Sequence, residues 1–194
     1  MAKAKTTRNT HVAVSPIRFT ATLHRPAGRE KSARWSFLKL PKAASTKLPS
    51  RGQVAVEGTV NGHPFTATLE PDGEGGHWLK IDQALREEVG AAVGDVVRLE
   101  IAPMTEEPEP VVPPDLKKAL AAAEAKTRAA WNDITPAARR DFIHWITSPK
   151  KPETRVKRIA TACDMLAKGK RRPCCFDRSG MYDKSLSCPV ADDE

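Results

Sequence analysis

Apolar and polar positions alternate with a period of two through the first half of this chain and recur at helical spacing through the second half. Ile17, Phe19, Ala21 and Leu23 interleave with Arg18, Thr20, Thr22 and His24, the rhythm of a half-buried strand. RWSFLKL, ending at Leu40, is a second alternating run in which Trp35, Phe37 or Leu38 can enter a core, and 41–49, bounded by prolines, predicts irregular chain or a brief helix. Val54, Val56 and Val60 then face Phe65, Ala67 and Leu69 across Asn61-Gly62, a pair that tolerates the positive φ values of a tight hairpin turn. Gly58 inside the first of these strands predicts a bulge or a sharp bend. A glycine-rich loop leads to a short strand around Trp78, Leu79 and Ile81. Asp82 then caps a helix that Gly90 ends, and Val97, Leu99 and Ile101 form one side of a last strand. About five or six short strands with one helix between the last two predict a small closed barrel, which leaves no edges open.

The linker 104–114 is rich in proline and glutamate, which blocks helix and favours extended chain. A helix from Asp115 offers Leu116, Leu120 and Ala123 to a core, with Trp131 near its end. A second begins at Thr135-Pro136, carries Ala138, Phe142 and Trp145, and should stop by about Ser148 because Pro149 disfavours the α conformation in the residue before it. A third begins at Lys151, Pro152 and Glu153, carries Val156, Ile159, Cys163 and Leu166 as one stripe, and closes at Gly169. The fold class predicted is therefore α+β: a flexible arm at 1–14, a small β-barrel domain at 15–103, the linker, a three-helix module at 115–172, and a tail at 173–194 without sustained period, expected to be mostly disordered.

The runs RRDFIHWI, KKPETRVKRI and AKGKR give the helical module a resemblance to the C-terminal domain of the YdeI/OmpD-associated family, linked to bacteriocin protection. The order VEGTVNGHPFTATLEPDGEGGHWLKI, then LREEVGAAVGDVVRLEI, is similar to the β-barrel domain of unknown function 1905, commonly found just ahead of such a module. Together the two resemblances cover about residues 17 to 172. Pro149 departs from the first pattern, where a small helix-compatible residue is usual, and predicts a stiffer connector. The resemblance implies a barrel followed by helices and a protective role; it carries no activity, catalytic residue or cofactor.

The chain is long enough, at 194 residues, for two small domains, and its 40% hydrophobic content is ordinary for a soluble protein. No apolar run is long enough to span a bilayer, and the basic start MAKAKTTRNTHVAV has no apolar segment behind it, so a cytoplasmic location is expected. The net charge of +8 is unevenly spread: residues 1–34 carry +7, 35–114 carry −5, 115–172 carry +9 and 173–194 carry −3. A neutral-to-acidic centre flanked by basic segments invites polyanions, although a small helical module must also expose charge to stay soluble. Cys163 lies on a helical stripe and Cys174, Cys175 and Cys188 in the tail. Their spacing matches no paired zinc pattern, so reduced thiols are expected, with a redox or metal role for the tail cysteines as the alternative.

Three constellations bear on chemistry. Asp72, Glu74 and His77 sit among glycines, but a phosphate cradle needs a helix after the glycines and here a strand follows, so a hairpin loop is expected and no metal or cofactor. His144 shares its neighbourhood with Arg140, Asp141 and Trp145, yet no serine or cysteine is placed by sequence to complete a catalytic set. Arg139 and Arg140 on the second helix, with Lys151, Arg155 and Arg158 at i, i+4 and i+7 on the third, form the candidate anion- or partner-binding surface, unless neighbouring acids hold them in structural pairs. Three functions follow in order of preference. The first is a non-enzymatic binding protein associated with protection against bacteriocins or antimicrobial peptides. At +8 it repels cationic peptides at long range, unless the acidic centre binds them. The second is a binder of nucleic acid or another polyanion through the basic helices. The third is an enzyme, which would require a deep cleft at the domain junction holding His144 or His77 with a carboxylate. The partner and oligomeric state are not encoded legibly in the residues.

Overall fold

The computed structural model describes residues 15–28, 34–182 and 186–192; the arm at 1–14 lies outside them. Six strands, β1 (Ile17–Thr22), β2 (Trp35–Lys39), β3 (Val54–Val60), β4 (His63–Pro71), β5 (His77–Asp82) and β6 (Val96–Pro103), form one antiparallel sheet in the order β1-β6-β3-β4-β5-β2. The alternation sets the register: Ile17 opposes Ile101, Phe19 opposes Leu99 and Ala21 opposes Val97, so one face of the curled sheet is apolar. Leu38, Val56, Val60, Leu69, Leu79 and Leu99 close that core without exposure. Helix α2 (Gln83–Glu88) stands between the last two strands as expected, with Asp82 Oδ1 accepting Leu85 N at 2.8 Å, and α1 (Lys42–Ser45) is the brief helix between the prolines.

The sheet is a half-barrel. A closed barrel was expected, but among the described residues its two edge strands are joined at one point, where His24, just past β1, and Phe37 of β2 exchange backbone hydrogen bonds of 2.7 and 2.9 Å. Leu23 donates instead to Asp95 O, so the chain leaving β1 is still tied to the turn before β6 and cannot extend a ladder to β2. Gly58 is no bulge, since the β3–β4 register runs through it without a skip; it lies where the β6 backbone leaves no room for a side chain. A β-carbon there would lie 2.0 Å from Glu100 O. The hairpin turn has the anticipated positive φ at both Asn61 and Gly62.

Four helices follow rather than three: α3 (Pro114–Ala122), α4 (Ala125–Asp133), α5 (Pro136–Thr147) and α6 (Pro152–Ala167). The predicted first helix breaks at Ala123, whose ψ of 164° is extended. Leu116 and Leu120 before the break and Thr127 and Trp131 after it are all buried, and Arg128 covers the freed Ala123 carbonyl. Thr135 Oγ1 accepts Ala138 N at 3.3 Å, α5 ends before Pro149, and Gly169 at φ +74° closes α6 with Lys170 N donating to Met165 O at 2.9 Å. The stripe of α6 is rotated from the one expected: Ile159, Ala162, Met165 and Leu166 are buried while Val156 is exposed, because the seam follows where α3, α4 and α5 lie.

Several described residues of the tail make contacts with the two units. Arg172 and Arg178 both reach the buried Asp141 on α5, Phe176 lies against His144, and Leu186 is buried. Beyond, Cys188 N donates to Asp72 O, and Ala191 makes an isolated antiparallel bridge to Pro26. A segment without periodicity can still be held by single-residue contacts, here to α5, to the loop between β4 and β5 and to the chain after β1.

A candidate ligand cleft between the half-barrel and the helices

The ladder between β4 and β5 holds only Glu70 against Trp78 and Pro71 against His77. Beyond these pairs β4 stays with β3 and β5 stays with β2, so the wall of the half-barrel parts. A cleft of ≈ 600 Å³ opens there. Ala67, Thr68 and Glu70 line one side, Trp78, Lys80 and Asp82 the other; His144 of α5 closes it from the helical unit, and Leu186 and Ser187 from the tail.

Burial pushes the Glu70 carboxyl above the ordinary carboxylate range, and two forces oppose it: the Gln53 amide, which donates to both oxygens at 2.9 and 2.8 Å, and the nearby charge of Arg140. Trp78 stacks on Trp35 with centroids 6.3 Å apart and meets Phe37 edge-on at 6.1 Å, while Lys80 Nζ sits 4.7 Å over the Trp35 ring. Asp82 is engaged as the cap of α2. The cleft therefore offers an aromatic wall, a mixed set of charges and a carboxyl whose ionisation depends on its surroundings.

The basic residues singled out from the sequence are not gathered on one open face. Arg155 forks onto Asp115, with Nε to Oδ2 at 2.6 Å and Nη2 to Oδ1 at 2.9 Å. Arg158 donates to the Trp145 carbonyl at 2.5 Å and to Ser148 Oγ at 3.0 Å, and its guanidinium lies over the Trp145 ring. Arg139 pairs with Glu109 and donates to the carbonyls of Trp131 and Asn132. Arg140 reaches Glu107 at 3.0 Å. Lys151 is exposed at the start of α6.

His144 and Glu70 do share a junction cleft, the arrangement named above as the mark of an enzyme. Glu70, however, gives both oxygens to Gln53, and the His144 ring packs at 5.7 Å on Phe176. His77 lies elsewhere, buried, with Nε2 3.0 Å from Gly52 O; burial lowers its pKa. Asp72 is spent on its own loop, accepting Glu74 N and Gly76 N at 2.8 Å, with Lys39 beside it. No group of three or more His, Cys, Asp or Glu is placed to hold a metal among the described residues. The four cysteines are unbridged, and burial pushes the Cys188 thiol up to about 11, against Lys39 and with Asp72 and Glu74.

Sequence reasoning missed Glu70, Trp78 and Lys80. The signal was present in the alternation, which puts Trp78 and Lys80 on the face of β5 away from Leu79 and Ile81, opposite Lys39 and Phe37 of β2, with Trp78 and Trp35 both half-buried.

Residues 109–169 match the family described as bacteriocin-protection, YdeI or OmpD-associated, and residues 19–101 match domain of unknown function 1905. No curated protein matches the chain. Glu70, Trp78 and Lys80 fall in the second match and His144 in the first, while Leu186 and Ser187 lie outside both.

Proposed function

Because this chain belongs to the bacteriocin-protection, YdeI or OmpD-associated family and carries domain of unknown function 1905 ahead of that unit, we propose that it is a non-enzymatic binding protein associated with bacteriocin protection, with the junction cleft as its working surface. The observation that carries this reading is that neither unit forms the cleft alone: Glu70, Trp78 and Lys80 come from one and His144 from the other. A binding site shared across the junction gives a physical reason for the two units to act together.

The cleft's sheet walls belong to the acidic centre of the chain, 35–114, where the charge is −5, so a cationic peptide approaching there is not repelled as it would be from the helical module at +9. The polyanion alternative has less to stand on, because Arg139, Arg140, Arg155 and Arg158 all have partners within the chain. What it retains is a set of exposed lysines including Lys150, Lys151 and Lys157.

Survival under bacteriocin challenge tests the reading. Cells expressing the protein should outlive cells without it, and the advantage should fall in Trp78→Ala cells that contain the same amount of folded protein. Equal survival with and without the protein would remove the protective role; full protection by Trp78→Ala would move the working surface elsewhere.

A further inference from the structure

The tail segment 186–192 is seated on the half-barrel as a strap, held through its main chain. Cys188 N donates to Asp72 O at 3.2 Å, Val190 O accepts Ala27 N at 2.9 Å, and Asp192 N donates to Arg25 O at 2.8 Å. These positions are two apart, the spacing at which one edge of an extended chain presents its hydrogen-bonding groups. Leu186 is the buried side chain of the segment and lies at the wall of the junction cleft. Ser187 lines both that cleft and a second cavity of ≈ 390 Å³, bounded by Phe37, Lys39 and Asp72 together with Cys188 to Ala191. The strap therefore lies between two hollows. Gly73 passes close by, where a β-carbon would lie 3.5 Å from Leu186 O and 3.6 Å from Ser187 Cβ.

The groups that receive the strap, Arg25, Ala27 and Asp72, all fall within the match to domain of unknown function 1905, whereas the strap lies outside both matches. Main-chain hydrogen bonds carry no sequence preference, so a surface that holds one extended segment through them holds another whose side chains fit. We propose that the trough under residues 186–192 is a binding site for an extended peptide, which enters by displacing this chain's own strap. The peptide places an apolar side chain where Leu186 sits, donates N–H groups to the Asp72 and Arg25 carbonyls, and accepts Ala27 N at a carbonyl. Displacing the strap also joins the second cavity to the junction cleft, so the remainder of the peptide runs toward Trp78. This inference rests on the cleft being the working surface and adds the class of ligand and its mode of entry.

Two full-length variants release the strap: Leu186→Asp puts a charge where the leucine is buried, and Gly180→Ala puts a β-carbon 1.8 Å from Leu186 O. The probe is a fluorescein-labelled peptide copying residues 186–192 with Cys188→Ser, followed by anisotropy. It should bind both variants saturably and the parent protein about tenfold more weakly or worse, because there the tethered strap competes at an effective concentration on the order of millimolar. The same peptide N-methylated at the positions of Cys188 and Asp192 lacks both main-chain donors and should not bind. Alkylation of Cys188 by iodoacetamide, mapped by mass spectrometry, should quicken in both variants; an unchanged rate in both would mean that the strap is not displaceable and would overturn the proposal. No saturable binding by either variant, equal binding by the parent, or equal binding of the N-methylated peptide would also overturn it. Lower survival of Trp78→Ala cells with no peptide binding would overturn the ligand class and leave the cleft's role standing. Peptide binding with survival of Trp78→Ala cells intact would support the peptide site and remove the protective role from it.

Discussion

Arg155 and Asp115, forty positions apart, close α6 onto the first turn of α3 through two parallel hydrogen bonds, Nε to Oδ2 at 2.6 Å and Nη2 to Oδ1 at 2.9 Å. The guanidinium holds the Asp115 carboxyl down to about 2, aided by the Leu116 amide and opposed by partial burial. A depressed folded-state pKa stabilises the protein above the unfolded value, 3.8, and that contribution disappears as pH falls through about 2. Because both side chains remain partly in water, the pair is worth about 0.2–1 kcal/mol. Asp115→Asn should thus be slightly less stable than the parent protein at pH 7 and equal to it near pH 2, measured by urea unfolding at both pH values.

Arg158 tests whether a basic residue of α6 serves structure. Its contacts with the Trp145 carbonyl, Ser148 and the Trp145 ring tie the end of α5 to α6. Arg158→Ala should cost about 1–2 kcal/mol of unfolding free energy and leave any affinity for nucleic acid unchanged. A variant of unaltered stability that loses salt-dependent binding in an anisotropy titration would instead assign Arg158 to a polyanion surface.

Glu70 predicts the opposite pH slope to Asp115. Its folded-state pKa is raised, chiefly by burial, so the folded protein holds a proton that the unfolded chain has released. Stability therefore declines as pH rises from the unfolded value, 4.5, through the raised one. Glu70→Gln should remove that decline and match or exceed the parent's midpoint in denaturant at pH 7. A lower midpoint at pH 7 would mean that ionised Glu70 is a net stabiliser through Gln53 and Arg140.

Gly180 controls the seating of the tail. Its φ is +70°, and a β-carbon would fall 1.8 Å from the Leu186 carbonyl oxygen. Gly180→Ala should cost about 1–3 kcal/mol and loosen Leu186 from the cleft wall. The expected signs are faster proteolysis beyond residue 172 and a red shift of tryptophan emission, with the helical content by circular dichroism unchanged.

The elements were legible wherever one local rule was enough. Asn61-Gly62, Asp82, Thr135-Pro136 and Gly169 each marked a turn or cap that the structure contains, since their chemistry acts within four residues. The failures share a different cause. The break at Ala123 and the exposure of Val156 both depend on which surface lies opposite, and no window of neighbouring residues contains that surface.

The candidate site divides in the same way. Arg139, Arg140, Lys151, Arg155 and Arg158 stood out as charge at helical spacing, but spacing does not say whether a guanidinium will meet water, Asp115 or a carbonyl forty or thirteen positions away. The residues themselves determined two units, their order, the α+β class and the apolar faces, because strand and helix periods are properties of short stretches. Tertiary structure alone decided that β4 and β5 part beyond Glu70 and Trp78, and that α5 and the tail close over the gap. Those facts are distances between parts of the chain that the sequence separates, and only packing brings them together.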